Sequence, residues 1–110
     1  MIEIPAMTAR RVSSFDELRR RGDYFLGTID DHGTVKRMVW FLLPLHEGWD
    51  LFDRATPASG LHGVTEPPWT IRECPDGSVE IRASIACGRG TADGEYFHGY
   101  LDEGNRWRLA

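Results

Sequence analysis

Five residues, Cys74-Pro75-Asp76-Gly77-Ser78, constrain the fold of this chain more than any other segment. Pro75 presets the first corner of a type I turn, and Gly77 supplies the positive φ that closes a three-residue hairpin loop with a bulge. Pairing Cys74 with Ser78 sets the register on both sides: Ile71 faces Ile81, Arg72 faces Glu80 and Trp69 faces Ala83. Trp69, Ile71, Val79, Ile81, Ala83 and Ile85 then share one face, while Thr70, Arg72, Glu80, Arg82 and Ser84 share the other. A loop one residue longer sets Ile71 against Arg82 and spoils both faces, because a one-residue slip turns every side chain over. The same register puts Cys74 on the solvent face.

Other segments repeat the strand signal. Tyr24–Ile29 and Thr34–Leu43 flank Asp30-Asp31-His32-Gly33, a hairpin pattern. With Asp31-His32-Gly33 as the loop, Ile29 faces Val35, Leu26 faces Met38 and Phe25 faces Val39. Tyr96–Leu101 reads as a strand, and a turn at Glu103-Gly104-Asn105 returns Trp107 opposite Leu101 and Leu109 opposite Gly99. Short strands are also expected at Ile2–Ile4 and around Trp49–Phe52, with a long loop over Ala55–Pro68 and a Gly-rich loop over Cys87–Glu95. Ser14-Phe15-Asp16-Glu17 has the form of a capping box, with three arginines and Gly22 behind it, which predicts a helix over 15–21. The expected fold is therefore α+β: a mainly antiparallel, strongly curved or barrel-like sheet of about six strands with one short N-terminal helix. The 110 residues suit a single domain over 1–110, with no internal repeat and no linker.

Composition narrows the function. Hydrophobic residues are 41% of the chain and 12 residues are aromatic, enough bulky apolar area to exclude wholesale disorder. The longest apolar run, Met38–Leu45, is eight residues and contains Pro44, against about 20 for a membrane-spanning helix. No membrane partner is expected. The first residues carry no apolar leader, so a cytoplasmic location is expected. The net charge of −4 argues against a nucleic-acid partner, because phosphate contacts need a basic surface. Residues 1–37 carry +1 and residues 38–110 carry −5, which favours a basic partner surface for the C-terminal part. Twelve of the thirteen cations are arginine, a skew that a G+C-rich genome explains as well as guanidinium chemistry does.

Chemistry-bearing residues are sparse. Cys74, Cys87, His62 and His98 include no Cys-x-x-Cys or His-x-x-x-His pair to seed a zinc site, so no metal and no cofactor are expected. No nucleophile stands beside a base at recognisable spacing, and no catalytic residue is assigned, which leans the reading away from an enzyme. The densest cluster is aromatic: Trp69, then Tyr96, His98 and Tyr100 at period two, then Trp107. Such rings line a binding groove or pack a core. An alternative reading places a small-molecule or hydrolytic pocket at His62, Cys87 and His98, since a neutral imidazole acts as ligand, acid or base near neutral pH.

The block from Gly60 to Trp107 carries Gly60-Leu-His-Gly-Val-Thr-Glu-Pro-Pro-Trp69, Arg82-Ala-Ser-Ile85 and Tyr96-Phe-His-Gly-Tyr-Leu-Asp-Glu-Gly-Asn-Arg-Trp107. It resembles the C-terminal block of small uncharacterised proteins of actinobacterial phages and prophages. Those proteins show a Cys-His-Gly or Trp-His-Gly step where this chain has Phe97-His98-Gly99, and Phe97 weakens a metal reading. The resemblance implies an accessory protein acting inside a bacterium and no particular reaction. The expected function is non-enzymatic binding of a host bacterial protein or self-assembly, with a homodimer through a sheet edge left open.

Overall fold

The computed structural model describes residues 8–44, 61–87 and 97–110. The expected strands at Ile2–Ile4 and Trp49–Phe52 lie outside the described residues. Within them, eight strands follow in order: β1 (Arg10–Arg11), β2 (Asp23–Asp31), β3 (Thr34–Leu42), β4 (Leu61–Glu66), β5 (Thr70–Glu73), β6 (Val79–Cys87), β7 (Phe97–Asp102) and β8 (Arg106–Leu109). They form two four-stranded sheets, β1-β2-β3-β4 and β5-β6-β7-β8. The fold is thus nearly all-β, and the expected single curved or barrel-like sheet with an N-terminal helix is corrected on both counts.

The division into two sheets has a local cause. Between β4 and β5 stand Pro67 and Pro68, which have no N–H to extend a ladder. The Trp69 amide instead donates to the Thr65 carbonyl at 3.1 Å, turning the chain out of the first sheet. The expected loop over 55–68 is, from Leu61, strand β4, which runs antiparallel to β3 with Val39 opposite Val64 and Phe41 opposite His62.

The helix fails because its amides are claimed by another group. Only Phe15–Glu17 coil, as one 3-10 turn, and Leu18 is already extended. The amides of Arg19 and Arg20, which a continuing helix directs to carbonyls one turn back, donate to the Asp23 carboxylate at 3.1 and 2.9 Å. Asp23 is buried and also takes the Arg10 guanidinium at 3.0 and 2.6 Å, so its charge is fully partnered.

The β2–β3 hairpin differs from expectation by one residue. Asp31 pairs with Thr34, Ile29 with Lys36 and Leu26 with Val39. His32 and Gly33 both have positive φ (52° and 87°), giving a two-residue loop whose twist matches that of the strands. The β5–β6 register is as expected, with Thr70 opposite Arg82, Ile71 opposite Ile81 and Arg72 opposite Glu80. So is that of β7–β8, with Leu101 opposite Trp107 and Gly99 opposite Leu109.

The inner faces of the two sheets share one apolar cluster. Tyr24, Val39, Phe41, Leu43 and Val64 come from the first sheet and its flank, and Ile71, Val79, Ile81, Ile85, Phe97, Leu101 and Trp107 from the second. The rings of Phe41 and Trp107 lie 5.2 Å apart across the seam. The Tyr24 hydroxyl crosses the same seam, donating to Asn105 Oδ1 at 2.5 Å and accepting the Val79 amide at 3.1 Å. Burial pushes its pKa up to about 12. Cys74, expected on the solvent face, is a buried free thiol. The turn that carries it docks on β1, where Arg11 donates to the Gly77 carbonyl at 3.0 Å and pairs with Glu73 at 2.9 Å.

Candidate functional site

The outer face of the second sheet gathers the polar candidates. Phe97, Gly99 and Leu101 are buried, so His98, Tyr100 and Asp102 point away from the core. Opposite them β6 carries an irregularity. Ile81 pairs with Leu101 and Ile85 with Gly99, so Arg82, Ala83 and Ser84 together oppose Tyr100 alone. Bulges of this kind re-aim side chains. Ala83, which strict alternation assigns to the core, is exposed.

Gly99 sets how close β8 lies. A Cβ built there would stand 2.2 Å from the Arg108 carbonyl oxygen, which is backbone and cannot swing aside. Any larger residue separates β7 from β8. That close approach brings Arg108 over the ring of its cross-strand partner Tyr100, at 4.3 Å from the centroid, while Arg82 lies over the same ring at 5.3 Å. Asp102 fixes both guanidiniums: Arg108 Nε donates to it at 2.7 Å and Arg82 at 2.8 Å. Hydrogen bonding from Arg108 is the main force holding the Asp102 carboxyl below its ordinary pKa, helped by Arg82 and opposed by partial burial. Arg108 is correspondingly raised by its bond to Asp102. Beside this group His98 Nε2 and Ser84 Oγ are 3.2 Å apart, and Arg72 bridges Glu80 and Glu103 at 3.3 Å each. The face thus displays a half-buried ring between two ordered cations, in a field of paired charges.

Of the aromatic patch expected from the sequence, His98 and Tyr100 stand together on this face. Trp107 does not; it lies in the core, edge-on to Phe97 at 5.5 Å, with its indole N–H donating to the Gly22 carbonyl at 2.9 Å. Trp69 is packed against the core, its indole N–H donating to the Ser84 carbonyl at 3.1 Å. Tyr96 lies outside the described residues. The alternative pocket drew on histidines that the fold assigns to different sheets. His62 belongs to β4, its ring 6.1 Å from Phe41 on the inner side of the first sheet, whereas His98 faces outward on the second. The backbone of Cys87 ends β6, opposite Phe97.

Two groupings went unread in the sequence. Cys74 Sγ and carboxylate oxygens of Asp76 and Glu103 lie within 4.8 Å of one another, a thiol and two acids brought together by the facing turns of two hairpins. Asp76 is held by the Ser78 amide and hydroxyl, which keep its carboxyl below the usual range, and Glu103 by Arg72. On the outer face of the first sheet, Trp40 stacks on Phe25 at 5.6 Å and meets Phe15 edge-on at 6.2 Å. The one-residue difference in the β2–β3 register is what hid this trio, since it is the observed pairing that sets Phe25 opposite Trp40. Among the described residues no helix is long and apolar enough to cross a membrane. Compared with known proteins, the chain matches no family model, no curated sequence and no solved structure.

Proposed function

We propose that this chain is a non-enzymatic binding protein, an accessory factor of the phage and prophage type, that docks in the bacterial cytoplasm on a host protein through the outer face of β6–β8. The observation that carries this reading is Tyr100 held between Arg82 and Arg108 by Asp102. Tyrosine and arginine dominate binding hot spots, and side chains ordered beforehand lose less entropy on association. The paired charges around the ring suit a polar rim that sets orientation and on-rate. The same face meeting its copy is the self-assembly form of this reading.

The test begins with capture from a bacterial lysate and identification of the bound protein, followed by calorimetric titration of that purified protein. Tyr100→Ala is expected to weaken binding at least tenfold, about 1.4 kcal/mol. Phe15→Ala, in the 3-10 turn packed against Trp40 on the outer face of the first sheet, is expected to leave affinity unchanged. Wild-type affinity in Tyr100→Ala and Arg108→Ala alike removes this face from the reading.

A further inference from the structure

β5 is the edge strand of the second sheet, hydrogen-bonded on one side to β6. The Cys74 amide donates to the Ser78 carbonyl at 2.8 Å, so by alternation Arg72 and Thr70 bond across to β6 while the N–H and C=O of Ile71 point outward. An outward pair of this kind on an edge strand is a template for another strand. Here both groups are taken, and by side chains of the other sheet. The Ile71 amide donates to Glu66 Oε2 at 2.6 Å, and the Arg37 guanidinium donates to the Ile71 carbonyl. Arg37 and Glu66 are themselves cross-strand partners on β3 and β4, joined through Glu66 Oε1 at 3.0 and 2.7 Å. The pair offers one acceptor and one donor to the two outward groups of Ile71, as a neighbouring antiparallel strand does. Next along the edge, the Trp69 amide is occupied by Thr65.

We propose that the Arg37–Glu66 pair is an edge guard, which withholds β5 from antiparallel pairing with β5 of a second copy of this chain. The second copy is the occupant that the edge itself specifies. Antiparallel pairing about Ile71 sets Ile71 against Ile71 and Thr70 against Arg72, so the apolar residue stays on the core side and no like charges meet. Such a contact is two-fold and closed, the commonest symmetry of homo-oligomers, and joins two four-stranded sheets into one of eight. The guard acts whatever the outer face of β6–β8 binds, and the inference goes beyond the function proposed above.

The experiment compares molar mass by light scattering over a series of concentrations for the full chain and for Glu66→Ala, Arg37→Ala and Glu66→Gln, with Lys36→Ala as a control that removes the Lys36–Asp31 ion pair of the β2–β3 hairpin, away from β5 and from the outer face of β6–β8. Glu66→Ala and Arg37→Ala are expected to double in mass relative to the wild type at equal concentration. Glu66→Gln, which keeps an acceptor for the Ile71 amide, is expected to fall between, and Lys36→Ala to match the wild type. Hydrogen exchange supplies the second readout: in the associated variants the Ile71 amide is slowed as concentration rises. Folded variants with the wild-type mass overturn the proposal, as does association in which the Ile71 amide gains no protection. If the alanine variants do not fold, Glu66→Gln decides by the same two readouts.

Discussion

Removing one oxygen atom, by Tyr24→Phe, tests how the two sheets are joined. The ring stays in the core, so packing is conserved. What is lost is the hydroxyl that accepts the Val79 amide at 3.1 Å and donates to Asn105. Val79 is fully buried, and its amide is left without that partner. A buried donor without an acceptor costs about 1–3 kcal/mol, so we expect a loss near 2 kcal/mol, a large share of the roughly 5–15 kcal/mol that holds a domain of this size. Alkali measures something separate, the burial of the hydroxyl, because burial raises its pKa while the bond from the Val79 amide lowers it. In the unfolded chain the phenol ionises near its ordinary pKa of 10.0, and in the fold only at about 12. The folded value is the higher one, so the contribution of Tyr24 is fully present below pH 10 and is lost as pH rises towards 12. At 1.36 kcal/mol per tenfold, that interval is worth roughly 2–3 kcal/mol. The phenylalanine variant has no phenol to titrate. Urea unfolding followed by tryptophan fluorescence should therefore show a gap of about 2 kcal/mol between the two proteins at neutral pH that narrows towards zero near pH 12. Equal stability at neutral pH refutes the bridging role, and a gap that stays constant through alkali refutes the burial of the hydroxyl.

Four further outcomes follow from the same geometry. Asp23→Ala strands two backbone amides and a guanidinium, and should cost about 3–4 kcal/mol in urea unfolding, whereas Arg10→Ala, whose side chain is half exposed, should cost about 1 kcal/mol; equal losses would mean that the amides of Arg19 and Arg20 do not depend on Asp23. Ile81→Asp buries a charge in the core and should unfold the protein, while Ala83→Asp, of the same parity but exposed by the β6 bulge, should stay within about 1 kcal/mol of wild type by thermal melting. Gly99→Ala pushes a methyl group at the Arg108 carbonyl and should lower the melting temperature and speed exchange of the β8 amides. Acid should destabilise the fold in a defined window. Glu66 is held below 4.5, chiefly by the Ile71 amide and then by Arg37, and Asp76 and Asp102 below 3.8 by Ser78 and Arg108 respectively. These depressed values mean stability that is full above the ordinary carboxylate range and lost as pH falls through the folded values, so Glu66→Gln should flatten the acid limb of a stability-against-pH curve.

The sequence by itself determined what short-range turn chemistry determines. Pro75 with Gly77, and Gly104 with Asn105, allow one backbone path each, and a fixed loop fixes the register of both flanking strands, down to Ile71 opposite Ile81 and Leu101 opposite Trp107. In that register the residue opposite Leu101 shares its face, which separates Trp107 from His98 and Tyr100. Where a turn tolerates two loop lengths the sequence was ambiguous, and His32 at positive φ decided the β2–β3 pairing in a way that residue type alone does not announce. The tertiary structure alone decided the rest. The segment after Ser14 has every local mark of a helix, and a carboxylate five residues beyond Leu18 takes the amides that the helix needs. Tyr100 acquires its two cations from β6 and β8, and the β5 edge acquires its cover from β3 and β4. Each of these depends on a polar group satisfied by a partner far along the chain or on another strand. Local pattern records which groups need a partner, but which partner arrives is set by how the sheets pack.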